Sequence, residues 1–317
     1  SCAPAQYTPP FMADTPRAAS RPFDPIAAAA ALRRLARAPN APWLHGEVAR
    51  RMGERLEIIR LQPELILDWW GFLGAGGEVL DAAYPKARRI VVEPSAELLA
   101  RSRVAADRPW WSARKWSRPP IETLPDDAPI PAGARLVWAN MMLHMVADPP
   151  ALFERWERLL GIDGFVMFSC LGPGTLRGLR ELYARLGWTA PTSAFVDMHD
   201  LGDMLMHAGF ADPVMDQETL TLRWDSPGAL LAELRLLGGN TAPVREPGLR
   251  TPRWRARLER ELEALRGPDG RIGLEFEVAY GHAFKAAPRL SADAPTTISL
   301  DDMRAMVRTR KPPVQRP

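Results

Sequence analysis

The sequence contains little cysteine, no large excess of either charge and no long apolar run. Cys2 and Cys170 are the only thiols among 317 residues, which argues against a disulfide framework and favours a reducing compartment. The 41 basic and 38 acidic side chains leave a net charge of +3, too small an excess to indicate a nucleic-acid partner. No apolar run approaches the roughly 20 residues of a membrane span. We therefore predict a soluble cytoplasmic protein without a metal site, a nucleic-acid partner or a membrane partner.

Proline marks both ends of the chain. Residues 1–22 and 286–317 lack hydrophobic periodicity, so the first is predicted to be a disordered tail and the second a Pro/Arg-rich tail. Between them, residues 23–60 are predicted to form N-terminal helices and residues 61–285 one α/β domain. The stretch 108–120 carries three tryptophans and four basic residues. We interpret it as a loop that its indoles hold against the body, with an interaction surface as the alternative.

Short apolar strands alternate with helices through the first half of the domain. Strands are predicted at 65–68, 89–93, 136–139 and 165–169, with helical segments between them. This alternation is typical of right-handed crossovers in a mostly parallel sheet that has helices on both faces. Two later strands, at 217–224 and 272–284, predict an antiparallel pair at the edge of this sheet.

The turn after the first strand is rich in glycine and reads ILDWWGFLGAG over residues 66–76. Glycine at such a turn lets a nucleotide-containing ligand approach the backbone closely. Glu93 ends the second strand, where an acid can accept hydrogen bonds from both hydroxyls of a ribose. The alternative is that Glu93 is a helix cap or a solvated side chain.

The turn resembles the cofactor motif of class I S-adenosylmethionine-dependent methyltransferases, an acid followed by G-x-G-x-G. Asp68 matches the acid and Gly74 the last glycine, whereas Trp70 and Phe72 fall on the two earlier glycine positions. Either the turn rearranges and uses Gly71, Gly74, Gly76 and Gly77, or side chains partly fill the pocket. The resemblance implies a Rossmann-like fold and S-adenosylmethionine as the cofactor, held by Asp68, Gly71, Gly74 and Glu93.

Four longer segments resemble the malonyl-acyl-carrier-protein O-methyltransferases of biotin synthesis. They are WANMMLHMVADPPALFERWERLL (138–160), DGFVMFSCLGPGTLRGLRELYARLGW (163–188), FVDMHDLGDMLMHAGFADPVMDQETLTLRW (195–224) and LLAELRLLGGN (230–240). With the cofactor motif, the resemblance covers about residues 45–285. It implies a seven-stranded sheet, a helical lid inserted after strand five at about residues 171–240, and methylation of the free malonyl carboxyl.

The same resemblance implies roles for three further residues. Asn140 follows the predicted strand 136–139, which corresponds to the fourth strand of the family, on the cofactor side. His144 stands where the family has glutamine or histidine. Arg235 matches the arginine of the L-R-x-L-x-G segment, which implies a bidentate clamp on the malonyl carboxylate. An exposed helix arginine is the alternative. We assign no catalytic acid or base, because an ionised carboxylate is already nucleophilic and needs positioning and desolvation.

The implied partner is an acyl carrier protein, which is acidic, so Arg114, Lys115 and Arg118 could form a basic rim for it. A second hypothesis is a non-catalytic homologue whose cofactor site has decayed, because Trp70, Phe72 and Pro120 all depart from the family on the cofactor side. Pro120 replaces the acid expected to meet the adenine amino group. A third hypothesis is a methyltransferase with a changed acceptor.

Overall fold

The computed structural model describes residues 23–107, 119–246 and 250–286. The predicted tails and most of the tryptophan-rich insert, including Arg114, Lys115 and Arg118, lie outside these ranges. The helices in chain order are α1 (Pro25–Ala36), α2 (Trp43–Leu56), α3 (Gly71–Gly74), α4 (Gly77–Ala83), α5 (Ala96–Ala106), α6 (Pro149–Leu159), α7 (Arg177–Arg185), α8 (Met198–His207), α9 (Pro227–Leu236) and α10 (Pro252–Glu263). The strands are β1 (Leu65–Trp69), β2 (Arg88–Glu93), β3 (Ile121–Pro125), β4 (Ala134–Ala139), β5 (Leu160–Leu171), β6 (Phe210–Trp224) and β7 (Ile272–Lys285).

The strands form one seven-stranded sheet in the order β3-β2-β1-β4-β5-β7-β6. The first five strands in this order are parallel, and β7 pairs antiparallel with both β5 and β6. The prediction of a mostly parallel sheet with an antiparallel pair at its edge is confirmed. None of the described helices is both long and apolar enough to cross a bilayer.

Side chains of the central strands alternate between two buried cores, one on each face of the sheet. Leu67 and Trp69 of β1 enter one core, whereas Ile66 enters the other. In β4, Val137 faces the first core and Trp138 the second. Because a strand buried on both faces has no polar side, these segments read as continuous apolar runs in the sequence.

Polar residues fix the starts of several helices. The Asp24 side chain accepts hydrogen bonds from the backbone N–H groups of Ile26 and Ala27, and Pro25 occupies the first turn of α1. Ser95 caps α5 in the same way through the N–H of Leu98. Such caps satisfy backbone donors that have no partner inside the helix.

The second half differs from the sequence prediction in two places. β6 begins at Phe210 rather than at 217, and α10 was not predicted at all. The range 171–240, which the resemblance gives to a helical lid, contains α7, α8 and α9, with the sheet strand β6 between α8 and α9. The helices on either side of β6, α7 and α9, supply the walls of the cavity described below.

Candidate cofactor and acceptor sites

The carboxyl ends of β1, β2 and β4 meet at one edge of the sheet, where open α/β sheets bind ligands. Asp68, Glu93 and Asn140 lie at these ends and are buried, with exposed fractions of 2%, 0% and 1%. The structure thus brings together three of the residues that the sequence selected for the cofactor.

The sequence predicted a glycine-rich loop after β1. The structure differs, because the first part of this segment forms the one-turn helix α3. Trp70 precedes α3 and has a φ of 55°, in the left-handed region that glycine usually occupies. A Cβ atom on Gly71 would lie 2.8 Å from Cγ of Asp68, so this position requires glycine. Gly74 ends α3, and its carbonyl oxygen accepts a hydrogen bond from Nδ2 of Asn140 at 2.6 Å.

One of the two carboxylate oxygens of Glu93 accepts hydrogen bonds from other residues of the chain. Oε1 accepts from the backbone N–H of Phe72 at 2.7 Å and from the Ser102 hydroxyl at 2.6 Å. Oε2 is buried and has no hydrogen-bond partner among the described residues. Burial is the main cause that raises the pKa of Glu93 to about 7, and the bonds from Ser102 and Phe72 oppose this rise.

Arg101 holds the Phe72 ring in place beside Glu93. Its guanidinium carbon lies 4.6 Å from the centroid of the Phe72 ring, a cation–π contact. The same guanidinium donates hydrogen bonds to the carbonyl oxygens of residues 36, 38 and 39, at the end of α1. Glu93 has no exposed surface, so any ligand that reaches Oε2 must first displace the side chains around it.

Asn140 braces the head of the sheet. Its Nδ2 donates to the carbonyl oxygens of His45 and Gly74, at 2.7 and 2.6 Å, and its Oδ1 accepts from the Ser169 hydroxyl at 2.6 Å. The side chain therefore joins β4, β5, α2 and α3. Burial lowers the pKa of His45 to about 4, so this histidine is neutral. Sequence reasoning did not select Ser102, Ser169 or His45, because single polar residues inside helices and strands carry no motif.

A cavity of about 280 Å³ lies between α1 and the heads of β1 and β4. Trp69, Trp70, Met142 and Met145 form its sheet side, and Leu32 lies on its α1 side. We call it the strand-head cavity. Trp70 is only 7% exposed and belongs to the core on this face, so its indole occupies space where the cofactor motif has glycine.

A second cavity, of about 260 Å³, lies on the other side of Met145. We call it the acceptor cavity. Its walls are mainly apolar and come from α7, α9, the segment 191–195 and β7. The residues that line it are His144, Met145, Leu171, Thr175, Leu176, Leu179, Tyr183, Pro191, Thr192, Ser193, Phe195, Leu231, Leu234, Arg235, Leu237, Gly238, Gly239, Asn240, Thr241 and Phe276. It includes His144 and Arg235, the two residues that the sequence assigned to the acceptor.

Arg235 is the charged residue of the acceptor cavity, and it forms no hydrogen bond or ion pair with another described residue. The ring of His144 packs edge-on against Phe195, with 6.2 Å between the ring centroids. Thr192 also lines this cavity, and its buried hydroxyl has no hydrogen-bond partner among the described residues. A long, thin apolar ligand that ends in an anion matches such walls.

The fold and the paired sites define a class I methyltransferase. The YcgJ protein of Bacillus subtilis, a solved structure, covers 75% of this chain and 99% of its own, with a TM-score of 0.51 and 12% identity. A Bacillus halodurans protein assigned as a methyltransferase gives a TM-score of 0.50 at 11% identity, over 75% of this chain and 100% of its own. These likenesses confirm the predicted fold.

Sequence relatives give the family. The malonyl-[acyl-carrier protein] O-methyltransferase of Gallionella capsiferriformans is 38% identical over 259 residues, 80% of this chain and 88% of the relative. Those of Halorhodospira halophila and Laribacter hongkongensis are 37% and 35% identical over 76% and 78% of this chain, and 81% and 85% of their own lengths. A scan against protein-family models finds no match. The chain belongs to the malonyl-[acyl-carrier protein] O-methyltransferase family.

The polar groups at the strand heads fit S-adenosylmethionine, the cofactor that this class uses. Oδ1 of Asp68 and Oε2 of Glu93 are buried oxygens without a hydrogen-bond partner among the described residues. They are acceptors of the kind that the amino group and the ribose hydroxyls of the cofactor require, and a buried acceptor is costly to leave unpaired. Asn140 is saturated by internal bonds, so it would shape the site rather than bind the ligand.

Proposed function

We propose that this chain transfers a methyl group from S-adenosylmethionine to the free carboxyl of a malonyl group on an acyl carrier protein. The observation that carries the proposal is the arrangement of two cavities that share Met145 as a wall. One lies at the strand heads beside Trp69 and Trp70, and the other contains Arg235. The names of the relatives give the same acceptor and the same reaction.

Methyl transfer to a carboxylate does not require a side chain that acts as an acid or a base. When bound, S-adenosylmethionine supplies a methyl group on a positively charged sulfur, and the ionised malonyl carboxylate is already a nucleophile. The residues of the chain therefore need to bind the acceptor, orient it and exclude water. Arg235 would orient the carboxylate through two parallel hydrogen bonds. Apolar walls such as Leu176 and Phe276 would remove water from it.

His144 fits the proposed function as a residue that shapes the acceptor cavity, with no role in proton transfer. It is buried at 8% exposure and lines the acceptor cavity against Phe195. Because the acceptor carries no proton at neutral pH, an imidazole base would have nothing to remove. We therefore assign His144 to the shape of the acceptor cavity.

Methylation would mask the charge of the malonyl group, so that enzymes specific for neutral acyl chains could extend it. The sequence predicts that this step serves biotin synthesis and takes place in the cytoplasm. A long phosphopantetheine arm would deliver the malonyl group to a narrow cavity such as the one beside α9.

One observation favours a second candidate, a protein that binds the carrier-borne acid without methylating it. Glu93 has no exposed surface, and Phe72 and Ser102 already use one of its oxygens. Trp70 fills space at the strand heads. If these side chains stay in place, the acceptor cavity remains usable while the ribose site stays closed.

The test is to incubate the full chain with malonyl-acyl-carrier protein and S-adenosylmethionine and to weigh the carrier by mass spectrometry. The proposal predicts one added methyl group on the malonyl group of the carrier. Acetyl-acyl-carrier protein, which lacks the free carboxyl, should gain no mass. Binding of the malonyl carrier without any added methyl group would instead support the second candidate.

A further inference from the structure

Arg34 lies on α1, far in sequence from the acceptor cavity, yet it contacts the cavity wall. Its Nη2 donates a hydrogen bond to the carbonyl oxygen of Gly238 at 2.6 Å. A Cβ atom on Gly239 would lie 3.2 Å from the same nitrogen. Gly238 and Gly239 both line the acceptor cavity, as does Arg235 on the preceding helix. Arg34 therefore stands behind the two glycines, at the edge of this cavity.

This edge is also where the two cavities meet. Leu32, two residues before Arg34, lines the strand-head cavity. Met145 lines both cavities, and its Sδ would lie 3.8 Å from a Cβ on Gly238. Arg34 and Met145 thus approach the same glycine from the two sides. An acceptor group that must meet the methyl donor has to lie near this junction.

Two guanidinium groups share this junction without a compensating acid. Arg34 and Arg235 form no ion pair with a described acidic residue. Burial, and after it the positive charge of Arg235, lowers the pKa of Arg34, which shows that the two cations act on each other. Neighbouring like charges are unfavourable unless an anion lies close to both. The conformation of the wall is specific as well, since φ is 102° at Gly238 and 70° at Gly239, values that favour glycine.

We propose that Arg34 is a second cation for the acceptor carboxylate and holds it together with Arg235 at the junction of the two cavities. The proposal rests on the function proposed above and extends it to a residue outside the motifs of the second half. A carboxylate has two oxygens, and each guanidinium presents a planar fork of donors to them. Two anchors from different helices would fix the direction of the carboxylate as well as its place.

This arrangement makes the site selective for an acid over a neutral acyl group. An acetyl thioester in the same cavity would leave both guanidinium groups without an anion. We therefore expect the charge of the acyl group to determine affinity at the junction.

The experiment measures binding, by calorimetry, of malonyl-pantetheine, acetyl-pantetheine and acetyl-phosphopantetheine to the full chain. Arg34→Ala should weaken binding of malonyl-pantetheine by roughly 10-fold or more, the size expected for one charge-assisted hydrogen bond. It should leave the affinity for acetyl-pantetheine unchanged. Arg33→Ala is the matched control, because Arg33 is exposed on α1 as Arg34 is but lines neither cavity. A loss no larger than that of Arg33→Ala would overturn the proposal.

The other arms separate a carboxylate site from related possibilities. If Arg34→Ala weakens the binding of acetyl-phosphopantetheine but not that of malonyl-pantetheine, the anion that Arg34 binds is the phosphate of the carrier arm. The proposal would then be wrong. Arg34→Lys should recover part of the affinity, because it restores the charge, whereas a purely structural role of the Gly238 contact would not give a loss confined to charged ligands.

Combination with Arg235→Ala tests whether both cations hold one anion. The double variant should lose less affinity than the product of the two single losses, because the second change removes a contact that the first has already disturbed. A loss equal to that product would mean that the two guanidinium groups act independently and would contradict the proposal. These titrations need no cofactor, so binding without ester formation would remove the methyl transfer and leave the assignment of Arg34 intact.

Discussion

The backbone N–H of Phe72 donates to Oε1 of Glu93 across 2.7 Å. An acid at the end of the second strand is the group expected to accept the ribose hydroxyls of a nucleotide cofactor. In this chain the residue that replaces a glycine of the motif is bound to that acid. The position of Phe72 and access to Glu93 are therefore linked, and Arg101 extends the link to the end of α1.

Removing the Phe72 ring should open the ribose site. We expect Phe72→Ala to raise the affinity for S-adenosylhomocysteine by about 10-fold, because the cofactor no longer has to displace a ring held by Arg101. Calorimetric titration measures it. Arg103→Ala, an exposed change on the same helix as Arg101, is the control. Equal affinities for Phe72→Ala and the unchanged chain would show that the ring does not restrict entry.

The raised pKa of Glu93 predicts a stability that depends on pH. Its pKa is about 7 in the folded chain and about 4.5 when unfolded, so the folded state holds the proton more tightly. Stability is therefore highest below the unfolded value and falls as the pH rises through about 7, by about 3 kcal/mol in total.

Urea unfolding of the unchanged chain and of Glu93→Gln at several pH values between 4 and 8 measures this effect. The variant cannot titrate at this position, so its stability should fall less over the interval. Asp68, whose pKa burial raises to about 6, contributes to both curves, and their difference reports Glu93 together with its charge interaction with Asp68. Parallel curves would show that Glu93 does not titrate there.

Truncation of Arg235 should affect the acceptor and spare the cofactor. Arg235→Ala is expected to weaken the binding of malonyl-pantetheine by about 10- to 100-fold, since a charge-assisted hydrogen bond contributes about 1.5–3 kcal/mol. Affinity for S-adenosylhomocysteine should remain unchanged. Arg177→Ala, an exposed change on α7 that does not line the cavity, should alter neither. A similar loss for both ligands would argue that Arg235 supports the fold instead of the acceptor.

The Asn140 brace should matter for stability before it matters for binding. Asn140→Ala removes three hydrogen bonds, two of them donated to the carbonyl oxygens of His45 and Gly74. We expect a loss of about 3 kcal/mol in the free energy of unfolding. Ser169→Ala removes one of these bonds and also the bond that its hydroxyl accepts from the backbone N–H of Met141, and it should cost about 2 kcal/mol. Denaturant unfolding compares the two, and equal losses would contradict the role of Asn140 as the brace.

The sequence predicted the sheet well because the central strands are buried on both faces. Continuous apolar runs such as those that contain Leu67 and Val137 have one plausible place in an α/β fold. It predicted α10 and the start of β6 poorly. The exposed face of β6 alternates with half-buried residues, and such a pattern gives little contrast in a sequence.

The candidate site could be predicted only in part. Asp68, Glu93 and Arg235 stand at positions that a motif or a strand end marks, and the structure puts them at the strand heads and in the acceptor cavity. Ser102, Arg101 and Arg34 reach these places through tertiary contacts between distant segments. No spacing in the sequence reports such contacts, and the one-turn helix α3 likewise depends on packing around Trp70.

The most direct test of the account is the product of a single incubation of the full chain with malonyl-acyl-carrier protein and S-adenosylmethionine carrying a labelled methyl group. We predict label on the carrier as a methyl ester of its malonyl group, and less of it with Arg235→Ala than with Arg177→Ala. A carrier that stays unlabelled, although malonyl-pantetheine binds and a related methyltransferase labels it under the same conditions, would contradict the claim that this chain methylates the malonyl carboxyl.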